Sequence, residues 1–514
     1  MRMPQPLLIG IDIGTQGTKT VLCDRAGRVI ADAFEPSQLI RPGDGSVYEE
    51  PERLFGSVVR TVRAVTEQAG DAAQQIAALA MDAQMAGLLG IGADFEAVTP
   101  LDSWLDSRCA PYTEHIRREA EEACIRSSGG PVINAHAPKI LWWKHERPEA
   151  YARIRKFVMP NGYIAGRLCG LKAEDAFMDY TFLHFNSFSD NPGGGFNEEL
   201  LRLFGVAPEK LPRVVAPTAV VGQVTDEYAD ACGLPRGVKV AAGCGDTAAS
   251  SLGAGITRPG VAYDVAGTAS VFACATDRYA PDTAHKTILF ARSVIEGLYI
   301  PLAYISGGGI CLKWFAGLCG RSLRELDELA AQEAPGCGGI TFIPHFSGRT
   351  CPLDNDVRGA FLGLHGAPSA GLLYRSILEA VAYEYRSYLD ILRQNGCIEA
   401  LESIRGAGGG AKSAVFAQIK ADVLGVDYRA LRNSDTAPAA CALIAADAAG
   451  CADRPLAEVC AAYPEEGACC RADREKTRLY TAHAARYRRI LDGIGALCRD
   501  DKIIAEKGRA SDGE

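Results

Sequence analysis

Asp246 is the residue whose type and surroundings most directly indicate chemistry. It lies in the segment AAGCGDTAAS, residues 241–250, where Gly243 and Gly245 bracket a turn after the apolar run VKVAA. A carboxylate on such a turn is placed to accept a proton from an alcohol, as the base in phosphoryl transfer does. The structural alternative is that Asp246 is the N-cap of a helix over TAASSLGAG, because Asp is common at that position.

A second candidate is the segment DIGTQGTK, residues 12–19. Its glycines, Gly14 among them, let backbone N–H groups approach an anion, and Thr15 and Thr18 add hydroxyl donors. Lys19 can reach a phosphate as a point charge, and Asp12 can hold a metal ion directly or through water. The alternative is an ordinary hairpin that needs glycines for its turn and leaves Lys19 in solvent.

A third candidate is the glycine cluster RGAGGGAKS, residues 405–413, which stands between an apolar-edged run and the helical pattern AKSAVFAQIKADVLG. A glycine-rich turn at a helix N-terminus lets a flat base or a phosphate lie against bare backbone. A plain loop explains the cluster equally well. The chain contains no GxxxxGK[ST], HExxH or GxSxG motif, and its glycine spacing does not match a Rossmann dinucleotide site.

The elements that must position these residues follow an α/β pattern. The first forty residues predict three strands, LLIGID, KTVLCD and RVIADAF. Apolar residues recur on one helical face over 52–69, and Gly70 is placed to end that helix. The run IAALAMDA, residues 76–83, predicts another buried strand. Strands followed by alternating helix and strand indicate an α/β fold.

A related strand–turn–strand pattern returns in GVAYDVAGTASVFACA. Asp264 there precedes Gly267-Thr268, as Asp12 precedes Gly14-Thr15, which suggests a duplicated architecture. At 514 residues the chain is too long for one ordinary core. We therefore expect two domains and a tail, with these bounds: 1–255, 256–475, and 476–514 as a C-terminal helix with a disordered end.

Bulk properties narrow the classes of function. The chain has 54 Lys and Arg against 63 Asp and Glu, a formal charge of -9, which argues against nucleic acid as a partner. No stretch approaches the roughly 20 apolar residues that a membrane helix needs, and no secretory signal is evident, so a cytoplasmic location is expected. The 18 cysteines contain no CxxC pair, which favours reduced, buried thiols over zinc or disulfides.

Taken together, these segments resemble the FGGY carbohydrate kinases, a branch of the actin-like ATPase superfamily, and are most similar to xylulokinase-like members. The resemblance covers about residues 6–455. IGIDIGTQGTK is similar to the family's first phosphate motif, and APKILWWKHERPE to its first signature. FIPHFSGRTCPLDNDVRGAFLGL is similar to the second signature, and GGGAKSAVFAQIKADVLG to the adenosine motif.

The resemblance implies an α/β fold of two RNase-H-like (actin/hexokinase-type) domains flanking a cleft. The first domain would bind the sugar and supply the base, and the second would bind ATP with Mg²⁺. Asp246 matches the catalytic base, and Asp12 matches the aspartate that holds the metal through water. The implied phosphate and nucleotide residues are Gly14, Thr15, Thr18, Lys19, Gly267, Thr268, Trp314, Gly409, Gly410 and Ala411.

On the sugar side, the resemblance implies contacts from residues 82–87 and 102–108. The residues concerned are Gln84, Met85, Ala86, Asp102, Trp104, Asp106, Arg108, Asp246 and Thr247. From the residues alone, 102–108 is equally well a polar surface turn. Xylulokinases usually read Gln-Met-His-Gly where this chain has Gln-Met-Ala-Gly, and Asn where it has Thr247. The missing imidazole removes a polar contact to a sugar hydroxyl and weakens the case for D-xylulose.

The expected function is therefore ATP-dependent phosphorylation of a small sugar, most simply a ketopentose, with other ketoses and polyols left open. A weakly catalytic sugar sensor on the same fold is the first alternative. An actin- or chaperone-like ATPase acting on protein partners is the second. The resemblance makes a homodimer plausible, and neither nucleic acid nor a membrane is expected as a partner.

Overall fold

A computed structural model describes residues 5–432 and 436–511, with side chains described as far as Arg499. The chain divides into two units, each discontinuous in sequence. Unit 1 contains Met1–Thr257, Leu289–Ile300 and Asp435–Pro464, and unit 2 contains Arg258–Ile288, Pro301–Ser434 and Glu465–Glu514. The continuous domains predicted from the sequence do not include the two segments that return to unit 1.

The strands, in chain order, are β1 (Leu7–Gly14), β2 (Gly17–Cys23), β3 (Val29–Pro36), β4 (Tyr48–Glu49), β5 (Ile76–Ala83), β6 (Leu89–Ile91), β7 (Leu101–Asp102), β8 (Lys156–Val158), β9 (Phe177–Asp179), β10 (Ser189–Asp190), β11 (Gly195–Phe196), β12 (Arg213–Val215), β13 (Val220–Gln223), β14 (Lys239–Ala241), β15 (Cys244–Gly245), β16 (Val261–Ala266), β17 (Ser270–Cys274), β18 (Leu289–Arg292), β19 (Tyr299–Ile305), β20 (Thr341–Ile343), β21 (Ala360–Leu362), β22 (Ser403–Ala407), β23 (Tyr428–Leu431) and β24 (Glu466–Cys470).

The α-helices are α1 (Pro51–Ala69), α2 (Ala110–Ser128), α3 (His136–Glu146), α4 (Pro148–Arg153), α5 (Pro160–Cys169), α6 (Glu198–Leu203), α7 (Asp226–Cys232), α8 (Asp246–Gly253), α9 (Gly308–Cys319), α10 (Leu323–Ala331), α11 (Ala370–Gln394), α12 (Ala414–Leu424), α13 (Ala437–Ala448), α14 (Leu456–Ala462) and α15 (Arg474–Ser511). The end of the predicted disordered tail, residues 512–514, lies outside the described residues.

The predictions for the first eighty residues are confirmed. The three apolar runs form β1, β2 and β3, and IAALAMDA forms β5. The helical pattern forms α1, and Gly70 stands at its C-cap with a φ of 55°. That backbone conformation is one that glycine adopts without steric cost.

The main sheet of unit 1 has the strand order β13-β14-β5-β1-β2-β3, and β15 pairs with β5. Strands β3, β2 and β1 are antiparallel neighbours, whereas β1, β5 and β14 run parallel. Strand β13 is antiparallel to β14. Strands β5 and β15 also run parallel, so the carboxyl ends of β1, β5 and β15 meet at one edge of this sheet.

The sheet of unit 2 repeats that topology, with β24-β23-β22-β16-β17-β19 as the corresponding order. Strands β19, β17 and β16 are antiparallel, β16, β22 and β23 are parallel, and β24 is antiparallel to β23. The two units therefore share one strand plan. This confirms the predicted α/β class with two related domains.

The helix α13 comes from far along the chain and packs on the central strands of unit 1. Alternate residues of β1 point to opposite faces of the sheet. Leu8 contributes to the cluster that includes the apolar residues of α13, whereas Ile9 and Ile11 join the cluster that includes α1. Gly10 faces α13, and a methyl group there would lie 1.8 Å from the carbonyl oxygen of Pro438. A side chain at this position is incompatible with the helix as it packs.

No helix among the described residues is both long enough and apolar enough to cross a membrane. Every cysteine is a free thiol, and most are buried. Their burial agrees with the prediction that most of them lie in apolar surroundings.

We predict that Gly10→Ala destabilises unit 1, because the added methyl must displace α13 from β1. Overpacking of this kind costs about 1–3 kcal/mol. Thermal and guanidinium unfolding of the variant should shift to lower temperature and lower denaturant concentration. Gly195→Ala is the matched control, since Gly195 lies in strand β11 of the same unit and a methyl group there meets nothing within 4 Å. Equal unfolding midpoints for the two variants would contradict the prediction.

Candidate active site

Three aspartates gather where β1, β5 and β15 end. Asp12 of β1 pairs with Asp82 of β5, and Asp82 pairs with Cys244 of β15. Asp246 follows Cys244 by two residues and begins α8. Because the strands are parallel, their carboxyl ends converge, which is where ligands bind in open α/β sheets. Two of these residues, Asp12 and Asp246, were predicted as site residues, and Asp82 was not.

Asp82 is fully buried and carries a strongly perturbed acid group. Burial raises its pKa well above the usual value, and the nearby charges of Asp12, Cys244 and Asp246 raise it further. Its Oδ2 accepts a hydrogen bond from the thiol of Cys441 at 3.2 Å. Burial and the adjacent carboxylates therefore both favour the protonated form of this group, which lies beside Asp12. The only sequence signal for it was one acidic residue at the end of an otherwise apolar strand.

Asp246 is half-buried, and its pKa is raised to about 7. Burial is the main cause and the charge of Asp12 the second, whereas hydrogen bonds from Thr247 lower the pKa in part. The Thr247 hydroxyl donates to Oδ1 of Asp246 at 3.1 Å. The N-cap of α8 is Gly245, so the alternative interpretation of Asp246 as an N-cap residue is wrong. A carboxylate with this pKa is suited to general-base work near neutral pH.

The turn before Asp246 depends on glycine and on a buried hydrogen-bond chain. Gly243 has a φ of 75°, and a methyl group there would lie 1.9 Å from the carbonyl oxygen of Met81. The N–H of Gly245 donates to the Thr181 hydroxyl at 2.9 Å. Thr181 in turn donates to the buried carboxyl group of Asp179. This chain holds the backbone that presents the candidate base.

The hairpin between β1 and β2 places its predicted phosphate residues on two different faces. Lys19 pairs directly with Asp12, next to Gly14 and Thr15 at the turn. Thr15 accepts a hydrogen bond from the indole N–H of Trp104 at 2.8 Å. Thr18 points the other way, and its hydroxyl lies 2.7 Å from that of Ser57 on α1. Consecutive strand residues face opposite sides, so the side chains of Thr18 and Lys19 lie on opposite faces of the sheet.

The predicted sugar-side residues form one connected group in unit 1. Gln84 is buried, accepts from the Ser103 hydroxyl at 3.3 Å and donates to Glu49 at 3.3 Å. Trp104 leaves about half of its side chain exposed beside this group. Met85 is buried next to Gly245, where its sulfur would lie 2.2 Å from an added methyl group. These contacts connect the 82–87 segment both to residues 103–104 and to the Asp246 turn.

Asp102 is buried and has both carboxylate oxygens engaged. Arg108 donates to Oδ1 at 2.6 Å, and the indole of Trp143 donates to Oδ2 at 2.6 Å. Arg108 also donates to Asp106 at 2.9 Å and lies over the ring of Trp142. Burial raises the pKa of Asp102 to about 6, and the nearby cations oppose that rise. These interactions suit Asp102 to orient the 102–108 segment.

Lys139 connects the two sugar-side segments and was not predicted as a site residue. Its ammonium group is buried and donates to the carbonyl oxygens of Ala86 at 2.6 Å and Ser103 at 2.7 Å. Burial lowers its pKa, and the charge of Asp102 opposes that shift. The predicted contact residue Ala86 is therefore held through its backbone. The sequence signal was the lysine inside APKILWW.

Unit 2 contains a pocket of about 570 Å³ beside the second strand–turn–strand motif. Among its lining residues are the predicted Gly267, Thr268, Gly409 and Gly410. Ala411, also predicted, is buried within the helical turn Gly409–Lys412. Trp314 instead packs edge-on against Phe346, with ring centroids 5.0 Å apart. The pocket thus combines four of the six residues predicted for nucleotide binding in this unit.

Asp264 is the counterpart of Asp12 in the repeated motif, but its surroundings differ. Lys420 forms a buried ion pair with its Oδ2, and the hydroxyls of Tyr385 and Tyr428 each donate to the carboxylate at 2.6 Å. A carboxylate with these partners is a structural element of unit 2.

The residues at the Asp12 edge suit a magnesium ion of the kind that accompanies a nucleotide. Among the described residues, no group of three His, Cys, Asp or Glu side chains could hold a metal ion. Mg²⁺ is usually bound through one or two carboxylates together with phosphate oxygens and water, so a complete protein cage is unnecessary. Asp12 has the required carboxylate, and Oδ1 of Asp82, which accepts no hydrogen bond within the described ranges 5–432 and 436–511, lies at the same edge.

Family models match most of the chain. The N-terminal domain of the FGGY family of carbohydrate kinases matches residues 7–253, and its C-terminal domain matches residues 262–449.

Individual relatives carry two different substrate names. A xylulose kinase from Escherichia coli is 27% identical over 464 residues, covering 90% of this chain and 93% of that protein. A gluconokinase from Bacillus subtilis is 26% identical over 432 residues, covering 81% and 82%. The solved structure of a xylulose kinase from Rhodospirillum rubrum is 26% identical with a TM-score of 0.87, covering 96% of this chain and all of that one (100%).

We predict that Lys139→Met lowers the free energy of unfolding by about 2–4 kcal/mol, since it leaves two buried carbonyl groups without a donor. Lys144→Met is the matched control. Lys144 lies on the same helix and also donates to two backbone carbonyls, of Phe204 and Gly205, but it is partly exposed, so water can replace it. Denaturant unfolding of both variants tests this. A loss for Lys139→Met no larger than that for Lys144→Met would show that the buried contacts contribute little.

Proposed function

The chain belongs to the FGGY family of carbohydrate kinases, and from this premise we propose that it transfers the γ-phosphate of ATP to a hydroxyl of a neutral ketose, most simply a ketopentose. Asp246 is the general base in this proposal. The observation that carries it is the position of Asp246 directly after β15, at the sheet edge that it shares with Asp12 of β1. Its pKa, raised to about 7, is consistent with that role.

Each group at this edge has a role in the proposed reaction. Asp246 accepts the proton of the attacking hydroxyl, and Thr247 orients the carboxylate through the hydrogen bond to Oδ1. Backbone N–H groups of the Gly14–Gly17 turn, with Lys19, bind phosphate oxygens. Phosphoryl transfer needs little from a protein beyond such positioning and charge stabilisation. Magnesium held by Asp12 with phosphate oxygens would neutralise developing negative charge when bound.

The charge state of the sugar-side residues supports a neutral acceptor. Arg108 is engaged by Asp102 and Asp106, and Lys139 by two carbonyl oxygens. A carboxylate on the substrate would need a cation, and both of these are already paired. This favours a ketose or polyol over gluconate, although one group of relatives is named gluconokinase. Ala86 removes the imidazole usual in xylulokinases, so D-xylulose is one candidate among several ketoses.

A weakly catalytic sugar sensor is the remaining alternative. The presence of both Asp12 and Asp246 at one sheet edge argues against it, because a protein that only binds sugar has no need for a base.

We predict that the wild type releases ADP in a coupled assay with at least one of D-xylulose, L-xylulose, ribulose or a polyol, and less efficiently with D-gluconate. Asp246→Asn should lower kcat about 10²–10⁴-fold, the usual contribution of a general base, and leave ATP binding nearly unchanged. Asp71→Asn, at an exposed aspartate of unit 1, is the control and should keep full turnover. Normal turnover by Asp246→Asn would show that Asp246 is not the general base. ADP release that does not depend on sugar would favour the alternative of an ATPase acting on protein partners.

We also predict an acidic limb in the pH profile of kcat/KM. Asp246 must be ionised to accept a proton, so kcat/KM should rise with pH up to about 7 and then level off. Thr247→Val removes a hydrogen bond that stabilises the ionised form, so the limb should move to higher pH. Thr247→Ser retains the hydroxyl and should leave the limb in place. A limb that stays fixed in Thr247→Val, or moves to lower pH, would contradict this assignment.

A further inference from the structure

The unit 2 pocket contains a carboxylate whose role the proposed reaction does not explain. The pocket is lined by the glycine turns with Gly267, Thr268 and Gly409 and by the cations Lys313, Arg324 and Lys412. Its apolar wall includes Leu312, Leu323, Leu378 and Phe416. Asp327 of α10 is the one acidic residue among the lining residues.

Asp327 lies one helical turn after Leu323 and near Tyr374 of α11 and Ser413, the N-cap of α12. Its Oδ1 is buried and accepts no hydrogen bond from the described residues. Burial raises the pKa of this carboxyl group, and the neighbouring hydroxyls of Ser413 and Tyr374 oppose part of the rise. A buried acceptor without a donor is unfavourable, and a ligand that brings a donor relieves that cost.

The composition of the pocket indicates which part of a nucleotide meets this acceptor. Phosphates are attracted to the glycine turns and the cations, and a carboxylate would repel them. The aliphatic and aromatic side chains that line the pocket, with Leu323 and Tyr374 next to Asp327, match the flat faces of a purine ring. A purine ring held between these side chains turns the polar atoms of its edge toward the side of the pocket. The carboxylate of Asp327 there favours a purine whose edge carries an N–H donor.

We propose that Asp327 reads the 6-amino group of the purine and makes the pocket selective for adenine over a 6-oxo base. Adenine presents an amino donor at this position, whereas hypoxanthine presents a carbonyl oxygen, which a carboxylate repels. Sites built to bond a donor discriminate strongly against analogues that lack it, because the buried partner is left unpaired. This inference rests on the proposed use of ATP, and it names a residue that sets nucleotide choice.

The test compares ATP with ITP by isothermal titration calorimetry and by steady-state kinetics with whichever sugar is accepted. The wild type should bind ATP at least about tenfold more tightly than ITP. Asp327→Asn has nearly the same shape and can turn its amide donor toward the 6-oxo group. It should reduce the ATP:ITP ratio of kcat/KM by about tenfold or more, with the KM for sugar unchanged.

Glu328→Gln is the matched control, because it removes the same charge from the adjacent, exposed residue of α10, whose partner is Arg324. It should keep the wild-type ratio. Thermal unfolding of each variant identifies any loss of folding. If Asp327→Asn does not fold, the wild type alone still decides, since equal affinity for ATP and ITP overturns the proposal.

Two other results would also overturn it. An unchanged ratio in Asp327→Asn would mean that the carboxylate contacts water or has a structural role. A preference for ATP over 2′-deoxy-ATP that disappears in Asp327→Asn, while the ATP:ITP ratio persists, would assign the contact to the ribose. Failure of the proposed function is distinguishable, because it would appear as no turnover with any sugar, whereas the calorimetric ratio tests Asp327 independently.

Discussion

Parallel pairing of β1, β5 and β15 is the constraint on which the site depends. It brings the ends of the three strands to one edge of the sheet, and with them Asp12, Asp82 and Asp246. Carboxyl groups gathered in a buried setting cannot all be ionised at neutral pH. The pKa of Asp82 is raised well above its usual value, and that of Asp246 is raised to about 7. These raised pKa values follow from burial and from the crowding of carboxyl groups that the backbone imposes.

The two units share one strand topology, but the equivalent aspartates of their first strands have different surroundings. In unit 1, Asp12 lies at the sheet edge beside Lys19 and the hairpin turn. In unit 2, the equivalent Asp264 is held by Lys420, Tyr385 and Tyr428 beneath the pocket wall formed by Phe416. Asp12 is a candidate metal ligand, whereas Asp264 is held by a buried ion pair and two hydroxyl donors and therefore supports the structure of unit 2. Repetition of a motif therefore predicted the fold of unit 2 better than it predicted the role of its aspartate.

Local pattern was sufficient for much of the fold. Apolar alternation and turn glycines predicted β1, β2, β3, β5 and α1, and the ordered motifs predicted Asp246 and the pocket glycines. Strand alternation also separates the side chains of Thr18 and Lys19, although both were predicted to contact phosphate. Contacts between distant segments could not be predicted from the sequence, because no local pattern connects Lys139 to Ala86, or Cys441 to Asp82. The sequence did not indicate a role for Asp327, because the pocket that it lines is formed by side chains from four separate helices.

The late position of α13 in the chain has a consequence for biosynthesis. The helix that covers Gly10 and Leu8 is made more than 400 residues after strand β1. Until then, that face of the sheet has no cover, and exposed apolar strands in a growing chain are prone to aggregation. Most of unit 2, Arg258–Ile288 and Pro301–Ser434, is also translated before α13, whereas its last segment, Glu465–Glu514, follows it. We expect nascent chains that stop before α13 to depend on chaperones, and fragments ending near residue 257 to be poor substitutes for unit 1.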